Sequence, residues 1–295
     1  MMQLFNNKEI MKLNQFFLFL ILGLLLPHHS KPYFENPAHV VVGAVAGAAV
    51  IGTAAYYIKQ HFFPTTKVAT LVFDGPIYQT RDIMNILFQI KDDDSIDALL
   101  LLVECGGGLP GQSEILARLI AEIATKKPVI VQVIDYAGSG GYLMIAPATA
   151  IVVPALGNVG CIGVLSNIVK IFPEKFEGED ASGAMEIHPF AAGKYKSLHN
   201  QHAPLTDEEK IEQQREIDAI YNAFLYLVAR YRHLDIAEKD MWAEGQSFTG
   251  HEAVALHLAD YVGGFETAFG VLKQELTQRG KRIDNIQFVR FSTED

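Results

Sequence analysis

The residues of this chain best placed for chemistry are a serine and the glycines around it. In "DYAGSGGYLMIAPA", residues 135–148, Ser139 stands between Gly138 and Gly140, directly after the apolar run "PVIVQVID". Small neighbours let a hydroxyl stand exposed at a strained strand-to-helix turn, where larger side chains would block a substrate. "GYLMIAPA" then reads as a helix whose N-terminal amides and dipole point toward Ser139 and favour negative charge developing on a carbonyl oxygen. Taken by itself, the turn is better read as a Gly-Ser bend without chemistry.

A second glycine cluster changes that balance. "LLLLVECGGGLPGQSEILARLI", residues 99–120, places three glycines between an apolar run and a helical pattern. Gly106, Gly108 and Gly111 satisfy the dinucleotide fingerprint G-x-G-x-x-G, and Asp135 ends the next strand near where a ribose would be bound. Pro110 sits just before the third glycine, however, and the motif follows an earlier strand-helix unit, both of which argue against a cofactor cradle. Accessible backbone N–H groups have another use, as donors to the oxyanion that a nucleophilic serine generates. Gly107 and Gly108 end one parallel strand and Ser139 ends the next, so one loop can supply amides and the other the nucleophile, with Gly140 N–H beside it.

The elements needed to position these residues are legible. "KVATLVFDGPI" reads as a strand closed by a Gly-Pro turn. "TRDIMNILFQIKDD" carries Ile83, Ile86, Leu87 and Ile90 at helical spacing. "DALLLLVE" is a continuous apolar run, as buried parallel strands are. "GQSEILARLIAEIATKK" is amphipathic through Ile115, Leu116, Leu119, Ile120 and Ile123, and "PVIVQVID" is the next strand. Alternation of this kind predicts an α/β layered fold with a mostly parallel sheet. Thr206 and Glu209 form a capping-box signature before a long helix with the apolar stripe Ile217, Tyr221, Phe224 and Val228, which is expected to serve partly as an interface.

The N-terminal region is expected to lie outside that fold, dividing the chain into residues 1–66 and 67–295. Phe16 to Leu26, "FFLFLILGLLL", resembles a signal-peptide core with Lys8 and Lys12 before it. "AHVVVGAVAGAAVIGTAAYYI", Ala38 to Ile58, is long enough to span a bilayer, with Tyr56, Tyr57 and Lys59 at its end and Gly43 and Gly47 on a small-residue face. The 295 residues carry a formal net charge of −10, which argues against a nucleic-acid partner. Two cysteines, Cys105 and Cys161, exclude a disulfide framework and read as small buried residues. No metal-binding or cofactor signature is expected.

Taken in order, these motifs resemble the signal peptide peptidase A family of membrane-bound serine proteases, which have a Clp-protease/crotonase-like fold. "CGGG" (105–108) is similar to its Ser-Pro-Gly-Gly loop, "GSGGY" (138–142) to Ala-Ser-Gly-Gly-Tyr, and "VGCIG" (159–163) to Thr-Gly-Ser-Ile-Gly. "AAGKYKSL" (191–198), "LTDEEKIEQQ" (205–214) and "AEGQSFTGHEAVALHLADYVGG" (243–264) match its later elements, so the likeness runs over about residues 67–275. The resemblance implies a Ser-Lys dyad with Ser139 as nucleophile and Lys196 as general base, Lys194 being the neighbouring alternative. An ordinary lysine is protonated, with a pKa of about 10.4, and a dry site can lower it far enough for a neutral amine to take the serine proton. The resemblance further implies peptide substrates, a lipid membrane partner, a homo-oligomeric ring and an extracytoplasmic catalytic domain degrading cleaved signal peptides or other membrane-associated peptides. Three residues depart from the pattern: Gly106 for its proline, Cys161 for the serine that orients the lysine, and His257 for a glycine. An α/β-hydrolase esterase is an alternative, since "AGSGG" is one residue from G-x-S-x-G. A catalytically impaired membrane scaffold with the same fold is another, suggested by Cys161.

Overall fold

The computed structural model describes residues 52, 65–170, 192–196, 198, 200 and 203–292. The two N-terminal apolar runs, 16–26 and 38–58, lie outside the described residues but for Gly52. Among the described residues no helix is long and apolar enough to cross a membrane.

Four strands carry the body: β1 (Thr66–Asp74), β2 (Ala98–Cys105), β3 (Val129–Gly138) and β8 (Ile286–Phe291). Shorter strands β4 (Ala150–Val153), β5 (Asn158–Gly160), β6 (Ser247–Thr249) and β7 (Tyr261–Val262) extend the sheet. The order is β6-β5-β3-β2-β1-β8, with β4 branching from β3 and carrying β7. Every pairing is parallel except β5 with β6. The helices are α1 (Arg81–Asp92), α2 (Pro110–Lys126), α3 (Gly140–Ile145), α4 (Asp207–Arg232), α5 (Lys239–Trp242), α6 (Gly250–Ala255) and α7 (Phe265–Gln278). The mixed α/β reading with a mostly parallel sheet is thus observed.

Side-chain alternation explains why the strands are apolar throughout. Leu99, Leu101 and Val103 of β2 join Ala69, Leu71 and Phe73 of β1 in the core beneath α1, α2 and α3. Val68, Leu100 and Ile130 face the opposite way, against Ala268, Val271, Leu272 and Leu276 of α7. A sheet covered on both faces must be apolar on both, which gives the unbroken run "LLLLV". Helix α1 buries Ile83, Ile86, Leu87 and Ile90 as its spacing predicts. Helix α2 departs from expectation at Ile115, which is exposed; its buried face runs through Ser113, Leu116, Ala117, Ile120 and Ile123, one face of a 3.6-residue helix.

Helix α4 starts at the expected capping box. Thr206 Oγ1 accepts from the Glu209 N–H at 3.2 Å, and the Glu209 carboxylate accepts from the Thr206 N–H at 3.0 Å. Phe224 and Val228 of its stripe are buried, and Tyr221 packs against the core. Near the helix end, Arg232 forms a two-pronged ion pair with Asp260 at 2.9 and 3.2 Å and donates to the His257 carbonyl. Asp260 also accepts from the Ile151 N–H of β4 at 2.7 Å, so one carboxylate joins α4 to the sheet. His257, where the resemblance expects glycine, adopts φ 59°, the conformation that glycine takes most cheaply.

Candidate active site

The glycine loop, Ser139 and the Cys161 segment meet at the C-terminal ends of β2, β3 and β5. This is where α/β sheets place their ligands. Three local devices produce the arrangement.

The first is a bulge in β3. The register with β2 runs evenly to Val103↔Val133 and resumes at Cys105↔Ala137, so β3 gains two residues over β2. The Glu104 carboxylate accepts the N–H groups of Asp135 at 2.8 Å and Tyr136 at 3.2 Å, which the bulge takes out of the ladder. Because these groups are satisfied, β3 continues to Gly138 instead of ending at Asp135 as the sequence pattern suggests.

The second device is the turn at Ser139. Ser139 is the N-cap of α3 with φ 53° and ψ −127°, a strained backbone for a residue with a β-carbon. Its N–H donates to the Gly160 carbonyl at 2.8 Å, and its own carbonyl starts α3 by accepting from Leu143 at 3.0 Å. Helix α3 ends at Ile145, earlier than the sequence suggests, since Pro147 has no N–H to continue it. Gly141 is required by close packing: a β-carbon there would lie 2.6 Å from the Cys105 carbonyl oxygen. At Gly140 it would lie 2.2 Å from the Ser113 hydroxyl, which is buried and donates to the Leu109 carbonyl.

The third device is the loop Gly106–Gly108. Ile77 pairs with Gly108 in a short parallel bridge, donating to the Gly107 carbonyl and accepting from the Leu109 N–H, both at 2.9 Å. Gly107 has φ 103° and packs on the serine turn; Gly108 has φ 158° and lies so near Ile77 that a β-carbon would come within 2.3 Å of its carbonyl. Gly107 N–H points to the Cys105 sulfur at 3.4 Å, a weak acceptor. The N–H groups of Gly108 and Gly140 have no acceptor among the described residues. A β-carbon on Gly140 would lie 3.3 Å from the Gly108 nitrogen, so these two donors are neighbours beside Ser139.

The electrostatics set one of the two thiols aside. The Cys105 thiol is almost fully buried, and that burial pushes its pKa up, so it is no rival nucleophile. Cys161 departs from the expectation of a small buried residue: it is half-buried, with φ 50°, and its N–H donates to the Gln246 carbonyl at 2.6 Å. Lys194 ion-pairs with Glu208, and this bond holds its pKa above the ordinary lysine value. It is therefore committed to its charge. Lys196 lies in the adjoining turn, exposed, with its N–H on the Gly193 carbonyl at 3.1 Å. The structure gathers Ser139, Gly107, Gly108, Gly140 and Cys161, and among the described residues no hydrogen bond joins Lys196 to Ser139. No metal-binding cluster occurs among the described residues.

Sequence reasoning missed Glu104, Ser113, Ile77 and Tyr136. Their roles depend on where a bulge, a helix face and a bridge fall, and residue type alone does not show that.

Comparison with known proteins decides the lineage. A family profile described as "Peptidase family S49" matches residues 121–279. A Methanocaldococcus jannaschii chain named as a protease is 34% identical over 224 residues, covering 76% of this chain and 69% of that one. The chain belongs to peptidase family S49. That is the signal peptide peptidase A family, and the chain is accordingly a serine protease. The chloroplastic serine protease SPPA of Arabidopsis thaliana is 29% identical over 69% of this chain and 30% of its own length. Protease 4 of Haemophilus influenzae is 27% identical over 75% and 36%. This chain therefore spans only about a third of those two relatives. Among solved structures, a ClpP1 mutant from Listeria monocytogenes is 14% identical with a TM-score of 0.44, covering 68% of this chain and 93% of that one. Among the described residues no histidine has a hydrogen bond to Ser139, and His188, His199 and His202 lie outside them.

Proposed function

We propose that the chain is a membrane-anchored serine endopeptidase of the signal peptide peptidase type, with a Clp-protease/crotonase-like layered fold. Its substrates are cleaved signal peptides or other membrane-associated peptides, and it needs no cofactor. The observation that carries this reading is Ser139 at φ 53°, with the acceptorless N–H groups of Gly108 and Gly140 beside it.

In this reading the Ser139 hydroxyl attacks the peptide carbonyl while the Lys196 side chain takes its proton. The oxyanion is held by Gly108 and Gly140 N–H, with Gly107 closing the loop against the serine. The Lys196 ammonium then returns the proton to the leaving amine, and water hydrolyses the acyl-enzyme. Lys196 lies exposed in the single chain, and assembly into a homo-oligomeric ring is the step that would bring an amine to each serine. Cys161 stands where the resemblance expects the serine that orients the amine. The apolar runs 16–26 and 38–58 support anchoring in lipid, with the catalytic domain on the extracytoplasmic side.

The test is labelling of the detergent-solubilised protein with a fluorophosphonate and mapping of the modified residue. Label on Ser139, lost together with peptide turnover in Ser139→Ala, supports the assignment. Turnover at the wild-type rate in Ser139→Ala refutes it, and a wild type that is neither labelled nor active identifies the impaired scaffold instead.

A further inference from the structure

Ser139 and Cys161 are both non-glycine residues held at positive φ, 53° and 50°. They close adjacent parallel strands, whose register ends at Gly138↔Gly160. Ser139 N–H bonds back to Gly160, and Cys161 N–H bonds to Gln246, just before β6. Strained residues of this kind persist only where their surroundings over-determine them.

Tyr136 lies against both turns. A β-carbon on Gly138 would fall 2.0 Å from the Tyr136 hydroxyl oxygen, so the phenol occupies the space beside the residue preceding Ser139. The side chains of Cys161 and Ser247 lie near the same phenol and act on its titration. Ser247 in turn pairs with Gly160 across β5 and β6. The phenol thus lies against the approach to the serine and beside the place where the turn after β5 meets the start of β6. The titratable groups around it are Cys161, Cys105 and Glu104, whose carboxylate accepts the Tyr136 N–H. Burial pushes the phenol pKa up, which keeps it a neutral donor and acceptor.

We propose that Tyr136 is a positioning residue of the active site: its hydroxyl ties the Cys161 turn to the Ser139 turn and so fixes the direction of the serine hydroxyl. This rests on Ser139 being the nucleophile. A purely space-filling ring would place no oxygen against Gly138 and near Cys161 and Ser247, and Tyr136→Phe separates the two roles because it keeps the ring.

The experiment compares full-length wild type, Tyr136→Phe and Ser139→Ala in detergent, using a fluorophosphonate for Ser139 and a maleimide for Cys161. Cys105 is only 2% exposed and stays out of the maleimide's reach. Tyr136→Phe is expected to slow fluorophosphonate labelling and to lower kcat by about five- to tenfold, the scale of one hydrogen-bonded tie, with KM unchanged. Its Tm should stay within about 2 °C of wild type, and Cys161 should react several times faster once its partner is gone. Unchanged labelling of Ser139, unchanged labelling of Cys161, or a loss of activity that merely tracks a fall in Tm overturns the proposal. A wild type that takes no label at Ser139 identifies failure of the underlying functional reading, and this inference falls with it.

Discussion

A β-carbon placed on Gly107 would lie 2.8 Å from the β-carbon of Ser139, closer than real β-carbons approach anything. The glycine loop and the serine turn are therefore one packed unit, and the donors of the first cannot move independently of the second. Gly107→Ala is expected to lose fluorophosphonate labelling and peptide turnover by more than tenfold. The substituted residue is also strained at φ 103°, at a cost of roughly 1–3 kcal/mol. Gly106→Ala is the control: its β-carbon meets nothing within 4 Å, and activity within about twofold of wild type is expected. Equal loss in both variants would mean the loop matters only for folding.

The two lysines of "GKYK" differ in what they already hold. Lys194 is engaged by Glu208 and lies over the Tyr195 ring, so Lys194→Ala should leave kcat/KM within about twofold, a surface ion pair contributing little. Lys196→Ala should be as inactive as Ser139→Ala, and the double variant no worse, because members of one catalytic unit are not additive. Activity that survives Lys196→Ala and disappears with Lys194→Ala would reverse the assignment.

What the sequence revealed follows from how each feature is encoded. Helix α1 and the strands β1 to β3 were legible because their apolar periodicity is local, and the Thr206–Glu209 cap because both partners lie within one turn. The pairing of glycine loop with serine was also legible, since a parallel sheet must bring successive strand ends together. The extension of β3 to Gly138 was not, because it depends on the Glu104 carboxylate crossing from the neighbouring strand to accept two N–H groups. Nor were Tyr136 and Ser113, whose contacts are set by a bulge and by helix α2's rotation. Cys161 looked like an ordinary small core residue, since nothing in its type signals a left-handed backbone at the edge of the site.

Glu104 should matter to both stability and activity. Glu104→Ala leaves the N–H groups of Asp135 and Tyr136 without their acceptor; water can reach the exposed Asp135 group, so the part-buried Tyr136 group carries most of a cost of about 1 kcal/mol. The bulge they define aims the end of β3, so kcat should fall along with Tm. Glu104→Gln retains one carbonyl acceptor and should recover most of both, as read by thermal unfolding and by turnover of a fluorogenic peptide. A Glu104→Ala protein with wild-type Tm would show that water satisfies the bulge unaided.

Cys161 is the departure that bears most directly on activity. A hydroxyl at this position can still meet the Tyr136 oxygen, and it is a stronger hydrogen-bond partner than a thiol for an incoming amine. Cys161→Ser is therefore expected to leave kcat/KM unchanged or to raise it. The ceiling is about tenfold, since one net hydrogen bond contributes roughly 0.5–1.5 kcal/mol. Serine at φ 50° carries no more backbone strain than cysteine does, so Tm should hold. The measurement is turnover of a fluorogenic peptide by wild type and variant, both assembled and in detergent. An inert scaffold makes a different forecast, with wild type and Cys161→Ser equally silent because other parts of the site have drifted. A sharp loss in Cys161→Ser against an active wild type would sink the hydrogen-bonding role of the position. The thiol would then act as an apolar group packed at the edge of the site, and the amine would be held by contacts elsewhere.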